Sequence, residues 1–77
     1  PDVSEISKIM KEHLLLSIQL HGEKHGVIRF RKYFAWYSRG MAVKDLRRRA
    51  FGASARDQML EFIGELEKRG RFVQAEN

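Results

Sequence analysis

Apolar residues recur along this chain at three- and four-residue intervals, and most of these runs stop at a glycine. Ile6, Ile9, Met10, His13, Leu16 and Leu20 fall on one helical face in the first run. Val27, Phe30, Phe34 and Tyr37 form the stripe of the second, and Val43, Leu46 and Ala50 that of a short third. Met59, Phe62, Ile63 and Leu66 form the fourth. Gly22, Gly40, Gly52 and Gly70 close the runs, and glycine just past a helix takes up left-handed backbone without steric cost. The pattern predicts helices at residues 4–21, 23–39, 43–51 and 55–69, with no strands.

Capping chemistry supports these starts. Asp2 with Glu5 makes a capping box, or Ser4 caps alone, while Ser54 caps the fourth helix with Asp57 in its first turn. Gly26 is expected to weaken the second helix by about 1 kcal/mol relative to alanine. Residues after Gly70 are expected to fray. Helices this short are marginal alone in water, so each must bury its stripe against the others. The expected fold class is all-α: a compact four-helix bundle-like domain of 77 residues. The chain begins at Pro1 without a methionine, so it is expected to be one domain excised from a larger protein. With no cysteine it has neither disulfide nor thiolate, which fits a reducing, cytoplasmic setting. Apolar runs such as Leu14-Leu15-Leu16 are too short to span a bilayer.

Charge changes the picture. Nine Lys/Arg and one acid, Asp45, lie between Lys24 and Arg49, so that segment carries +8 of a net +5. The rest of the chain has six basic residues against nine acids. Segregation of this kind creates a local positive field and points to an anionic partner, above all a nucleic-acid backbone. On the second helix Arg29, Lys32, Tyr33, Trp36 and Arg39 lie opposite the apolar stripe, with Arg31 at the border. Trp36 either stacks on a base or sugar, supports a neighbouring arginine, or is covered by the third helix. The third helix adds Lys44, Arg47 and Arg48 to the basic region, ahead of Arg49, which projects elsewhere. The fourth helix carries Glu61, Glu65 and Lys68 outward, with Glu67 on a flank, and is expected to face away from a polyanion.

Other chemistry is poorly supported. His21 and His25 are four apart, but Gly22 falls between them and no further ligands complete a metal site. His13 reads as a hydrogen-bonded core histidine. No phosphate-binding loop, nucleophile–base pair or carboxylate pair is present, so no catalytic residue is expected. The apolar faces are needed for the core, which argues against a membrane-surface helix.

The stretch from His21 through Gly22, Glu23, Lys24, His25 and Gly26 to Val27, followed by Arg31 to Tyr37 and Gly40, carries a resemblance. It is similar to the C-terminal helical domain of bacterial tRNA-dihydrouridine synthases. That family shows a Tyr-Gly-Glu-x-x-Gly stretch, an Arg-Lys-His-x-x-Trp-Tyr motif, then Lys/Arg-Gly and a Leu-Arg pair. Gly22, Glu23, Gly26, Arg31, Lys32, Trp36, Tyr37, Gly40, Leu46 and Arg47 match, and His13-Leu14 fits the first helix. Residues from about 6 to 66 are covered. Tyr33 stands where the family usually has His, and Met41-Ala42 where Pro-Gly or similar is common; neither departure removes a charge.

The resemblance implies a tRNA-binding domain. It implies a parent enzyme that reduces the C5–C6 bond of uridine with FMN and NADPH in an N-terminal TIM barrel bearing a catalytic cysteine. None of that barrel is encoded here, so the resemblance implies a fragment expected to hold no cofactor and to have no activity of its own. Its expected partners are tRNA and the parent's own barrel, with neither membrane nor metal. The expected RNA contacts are Arg29, Arg31, Lys32, Trp36, Arg39, Lys44, Arg47 and Arg48. Two other readings stand beside this one: a helix-turn-helix-like DNA-binding domain, or a protein-interaction module docking an acidic partner through the basic Trp36 face.

Overall fold

Asp2 starts the first helix, and its side chain accepts from the Glu5 amide at 2.9 Å. Glu5 Oε1 accepts in return from the Asp2 amide at 3.2 Å, which completes the expected capping box. The computed structural model describes residues 2–72. Four helices occur among them: α1 (Val3–His21), α2 (Glu23–Tyr37), α3 (Lys44–Ala50) and α4 (Arg56–Arg69). There is no strand among the described residues. The architecture is the all-α, bundle-like one that the periodicity predicts, with α2 two residues shorter than expected. Phe72 does not fray but forms an isolated antiparallel bridge with Met41, and residues 73–77 of the expected tail lie outside the described residues.

The core joins Met10 and Leu14 of α1 to Val27, Phe30 and Phe34 of α2. Met41, Val43, Leu46, Ala50 and Ala53 close it from the connections and α3, and Met59, Ile63 and Leu66 from α4. The stripes expected for α2, α3 and α4 are therefore the buried ones, with Tyr37 and Phe62 partly buried at the edge.

α1 differs. Ile9, Leu16 and Leu20, expected in the core, are 47%, 53% and 68% exposed, while Ser7, Leu14 and Ser17 are buried with Met10. Two overlapping stripes satisfy the same spacing on α1, and close packing selects the one with small residues. Ser17 Oγ donates to the Gly26 carbonyl at 2.9 Å, and Ser7 Oγ to Glu67 of α4 at 2.9 Å. A Cβ added at Gly26 would lie 2.6 Å from Ile18 Cα and 2.7 Å from Ile18 N, so the α1 backbone occupies that space. Gly26 is thus the contact point of the α1–α2 pair rather than a weak place in α2.

Among the described residues only Gly22 and Gly40 hold positive φ, at 84° and 87°, and they make the turns after α1 and α2. Gly52 and Gly70, expected to do the same, have ordinary φ. Gly70 is instead required by space, since a Cβ there would meet the Leu66 carbonyl oxygen at 2.6 Å and the Met41 sulfur at 3.0 Å. The expected Ser54 cap is replaced by two others. Gln58 Oε1 accepts from the amides of Ser54 and Ala55, and Glu23 Oε2, from the start of α2, accepts from the Arg56 amide at 3.0 Å.

Gly26→Ala tests the close contact. Helix propensity alone favours alanine by about 1 kcal/mol. Overpacking against the Ile18 backbone reverses that sign, and a net loss of about 1–3 kcal/mol is expected in urea denaturation. A stabilised variant would show that the helices do not meet there.

Candidate nucleic-acid interface

The outward face of α2 carries Arg29, Lys32, Tyr33 and Trp36, and Arg39 follows in the turn to Gly40. Trp36 is 59% exposed, so α3 does not cover it. The Arg39 guanidinium lies 5.9 Å from the Trp36 ring centroid and the Lys32 ammonium 5.1 Å from that of Tyr33. Each ring therefore has a cation within reach of its π-face, which holds flat apolar surface and positive charge side by side. Two cations and two rings share about 10 Å of helix from Arg29 to Trp36.

Beneath this face the rings are fixed. His13 Nδ1 and the Tyr37 hydroxyl are hydrogen-bonded at 3.0 Å. The His13 ring meets Phe30 edge-on at 5.3 Å and tilts against Tyr33 at 4.6 Å. His13 is hydrogen-bonded, as expected, but sits half-buried on the α1–α2 seam rather than at the centre of the core face. His21 and His25 are both exposed, and no cluster of three metal-ligating side chains occurs among the described residues.

The arginines expected to contact RNA divide into two kinds. Arg31 Nε donates to the Ala53 carbonyl at 2.7 Å, tying α2 to the α3–α4 connection. Arg47 Nη1 donates to the carbonyls of Ser38 at 2.9 Å and Met41 at 3.3 Å, which pins α3 to the turn after α2. Both are half-buried and hold the scaffold. Lys44 and Arg48 lie about 40° apart on the outer side of α3, one turn apart and opposite Leu46 and Ala50. They are exposed, as are Arg29, Lys32 and Arg39. Among the described residues no carboxylate lies within ion-pair distance of these five cations.

Arg49 is neutralised locally. It pairs with Glu65 at 3.5 Å and Asp45 at 3.9 Å and lies 5.3 Å from the Phe62 ring centroid. Glu65 is accordingly half-buried against α3 rather than on the outward face of α4. Asp45, in the first turn of α3, also accepts from both terminal nitrogens of Arg69, at 2.8 and 3.1 Å. The hydrogen bonds from the Arg69 guanidinium hold the Asp45 carboxyl below its ordinary pKa, and Asp45 raises that of Arg69 in turn. The Asp45–Arg69 and Arg49–Glu65 pairs thus offset charge between α3 and α4, while the cations of α2 and of the outer side of α3 have no carboxylate partner among the described residues.

No protein-family model matches the chain, and no curated protein or solved structure matches it either.

The sequence did not reveal the groove beside Tyr33. Leu16, Leu20, Ser17, His13 and His21 of α1 line it with Arg29, Lys32 and Tyr33 of α2. The only signal was the pair Ser7 and Ser17 on the same α1 face as Met10 and Leu14, which marks the close-packed side.

The two kinds of arginine separate by mutation. Arg47→Ala removes the guanidinium from the Met41 carbonyl and leaves the Ser38 carbonyl with the Met41 amide alone, and is expected to cost about 1–3 kcal/mol. Arg48→Ala is expected to stay within about 0.5 kcal/mol of the parent. Parallel urea titrations decide; equal costs would contradict the division.

Proposed function

We propose that this chain is an RNA-binding domain that grips tRNA through its phosphate backbone and performs no chemistry itself. One observation carries the reading: five exposed cations, Arg29, Lys32, Arg39, Lys44 and Arg48, stand without a carboxylate partner among the described residues, and Lys32 and Arg39 lie against the exposed rings of Tyr33 and Trp36. Cations left uncompensated in this way are available to phosphates, and the rings offer stacking surface. Arg47 serves the interface by pinning the turn that carries Arg39, and Arg31 by tying α2 to the α3–α4 connection.

The choice of tRNA, and of a dihydrouridine synthase as parent, rests on the motif resemblance. On that reading the domain holds the tRNA while a separate flavin-bearing barrel reduces the uridine, a division of labour suited to chemistry on a base that must leave its stack. Contacts from a convex helical face should go mostly to phosphates and 2′-hydroxyls, reading shape more than sequence. The flavin and nicotinamide chemistry would belong to that barrel.

Fluorescence anisotropy with labelled tRNA tests the proposal. Affinity should fall steeply between about 50 and 200 mM salt. Lys44→Ala and Arg48→Ala should each reduce the logarithmic salt slope by about 1. Lys32→Glu should weaken binding further. Binding that is absent or insensitive to salt, with Lys32→Glu indistinguishable from the parent, would refute the reading. Stronger binding to duplex DNA than to tRNA would favour the helix-turn-helix alternative.

A further inference from the structure

The groove between α1 and α2 has a composition that the phosphate-binding face alone does not explain. Its floor is aliphatic, from Leu16 and Leu20, which the fold leaves exposed. One wall is the Tyr33 ring, 37% exposed and backed by His13. Arg29 and Lys32 stand on its rim, and no carboxylate lines it. His21 adds an exposed ring at the end of α1. Ser17 Oγ spends its proton on the Gly26 carbonyl and so presents lone pairs only.

An apolar floor, an aromatic wall, two cations and a few hydrogen-bonding groups together match one kind of ligand: a flat, partly polar ring carrying an anionic group. The groove measures about 170 Å³. That is below the roughly 300–1,000 Å³ typical of sites for drug-sized ligands, and it suits one ring system rather than a helix. It also opens beside a second hollow formed by Lys32, Tyr33 and Trp36, so Tyr33 and Lys32 stand between two adjacent sites on one basic face.

We infer that this groove receives a single unstacked nucleotide of a bound RNA. The base lies on Leu16 and Leu20 against Tyr33, and its phosphate meets Arg29 and Lys32. The inference rests on the RNA-binding reading and adds to it a preference for unpaired over duplex RNA. Exposed bases are held in this way because stacking on a ring or packing on apolar side chains removes their faces from water.

The test compares three probes on the 77-residue chain: a short unstructured RNA strand, a blunt RNA duplex of the same length, and free uridine monophosphate. Leu16→Ser with Leu20→Ser removes the floor at exposed positions, so the fold is retained, which circular dichroism checks. The double variant should lose about tenfold in affinity for the single strand. Its duplex affinity and its salt slope should stay as in the parent. In the parent, the Leu16 and Leu20 methyl resonances should shift with the single strand and not with the duplex.

Unchanged single-strand affinity in the variant, or silent leucine methyls, would overturn the inference while leaving salt-sensitive RNA binding in place. Free nucleotide binding as tightly as the strand would overturn it too, since the groove would then be a small-molecule site. If no RNA binds in a salt-sensitive way, the underlying RNA-binding reading fails as well, and the two failures are told apart by the salt series.

Discussion

The close approach of α1 to α2 at Gly26 is the constraint on which the rest of the structure depends. With the Ile18 backbone filling the space of a missing side chain, the two helices meet in a rotation that no side chain at position 26 would permit. That rotation turns Ser17 inward to bond the Gly26 carbonyl and places Met10 and Leu14 in the core. It also sets His13 against Phe30, Tyr33 and Tyr37. The same geometry leaves Leu16 and Leu20 outside, next to the cations of α2. One steric contact therefore fixes both the core and the surface groove.

A second layer of order comes from polar groups that hold the connections. Arg31 and Arg47 cap carbonyls of Ala53, Ser38 and Met41, and Glu23 caps the start of α4. The Asp45–Arg69 and Arg49–Glu65 pairs dock α3 against α4. Surface pairs of this kind contribute little stability individually. Their larger effect is on the field: they cancel charge on one flank of α3 and leave Lys44 and Arg48 uncompensated on the other. On α2 the cations Lys32 and Arg39 lie against the exposed rings of Tyr33 and Trp36, and this juxtaposition underlies the proposed grip on RNA.

The legibility of this fold in its sequence follows from how unambiguous each stripe was. α2 and α4 have single apolar faces, so Phe30, Phe34, Met59 and Ile63 could be assigned inward from spacing alone. α1 is rich in leucine and isoleucine on several sides, and hydrophobicity favoured the stripe with Ile9, Leu16 and Leu20. The deciding factor was size rather than hydrophobicity: serine at positions 7 and 17 lets neighbouring helices come close, and that depends on a glycine in another helix. The candidate interface was legible for the same reason in part. Exposure of Arg29 and Lys32 followed from helical angle, whereas cover of Trp36 by the third helix stood open and Arg39 lies in the turn beyond α2. The scaffold roles of Arg31 and Arg47 did not, because they depend on which distant carbonyls lack donors, a property of the folded chain alone.

The rotation of α1 is the central claim, and solvent access to its methyl groups measures it most directly. A soluble paramagnetic probe added to methyl-labelled protein should broaden the Leu16, Leu20 and Ile9 resonances strongly while leaving Leu14 and Met10 sharp. Protected Leu16 and Leu20 methyls with an accessible Leu14 would place the opposite stripe in the core, and both the close contact at Gly26 and the groove built on it would be wrong.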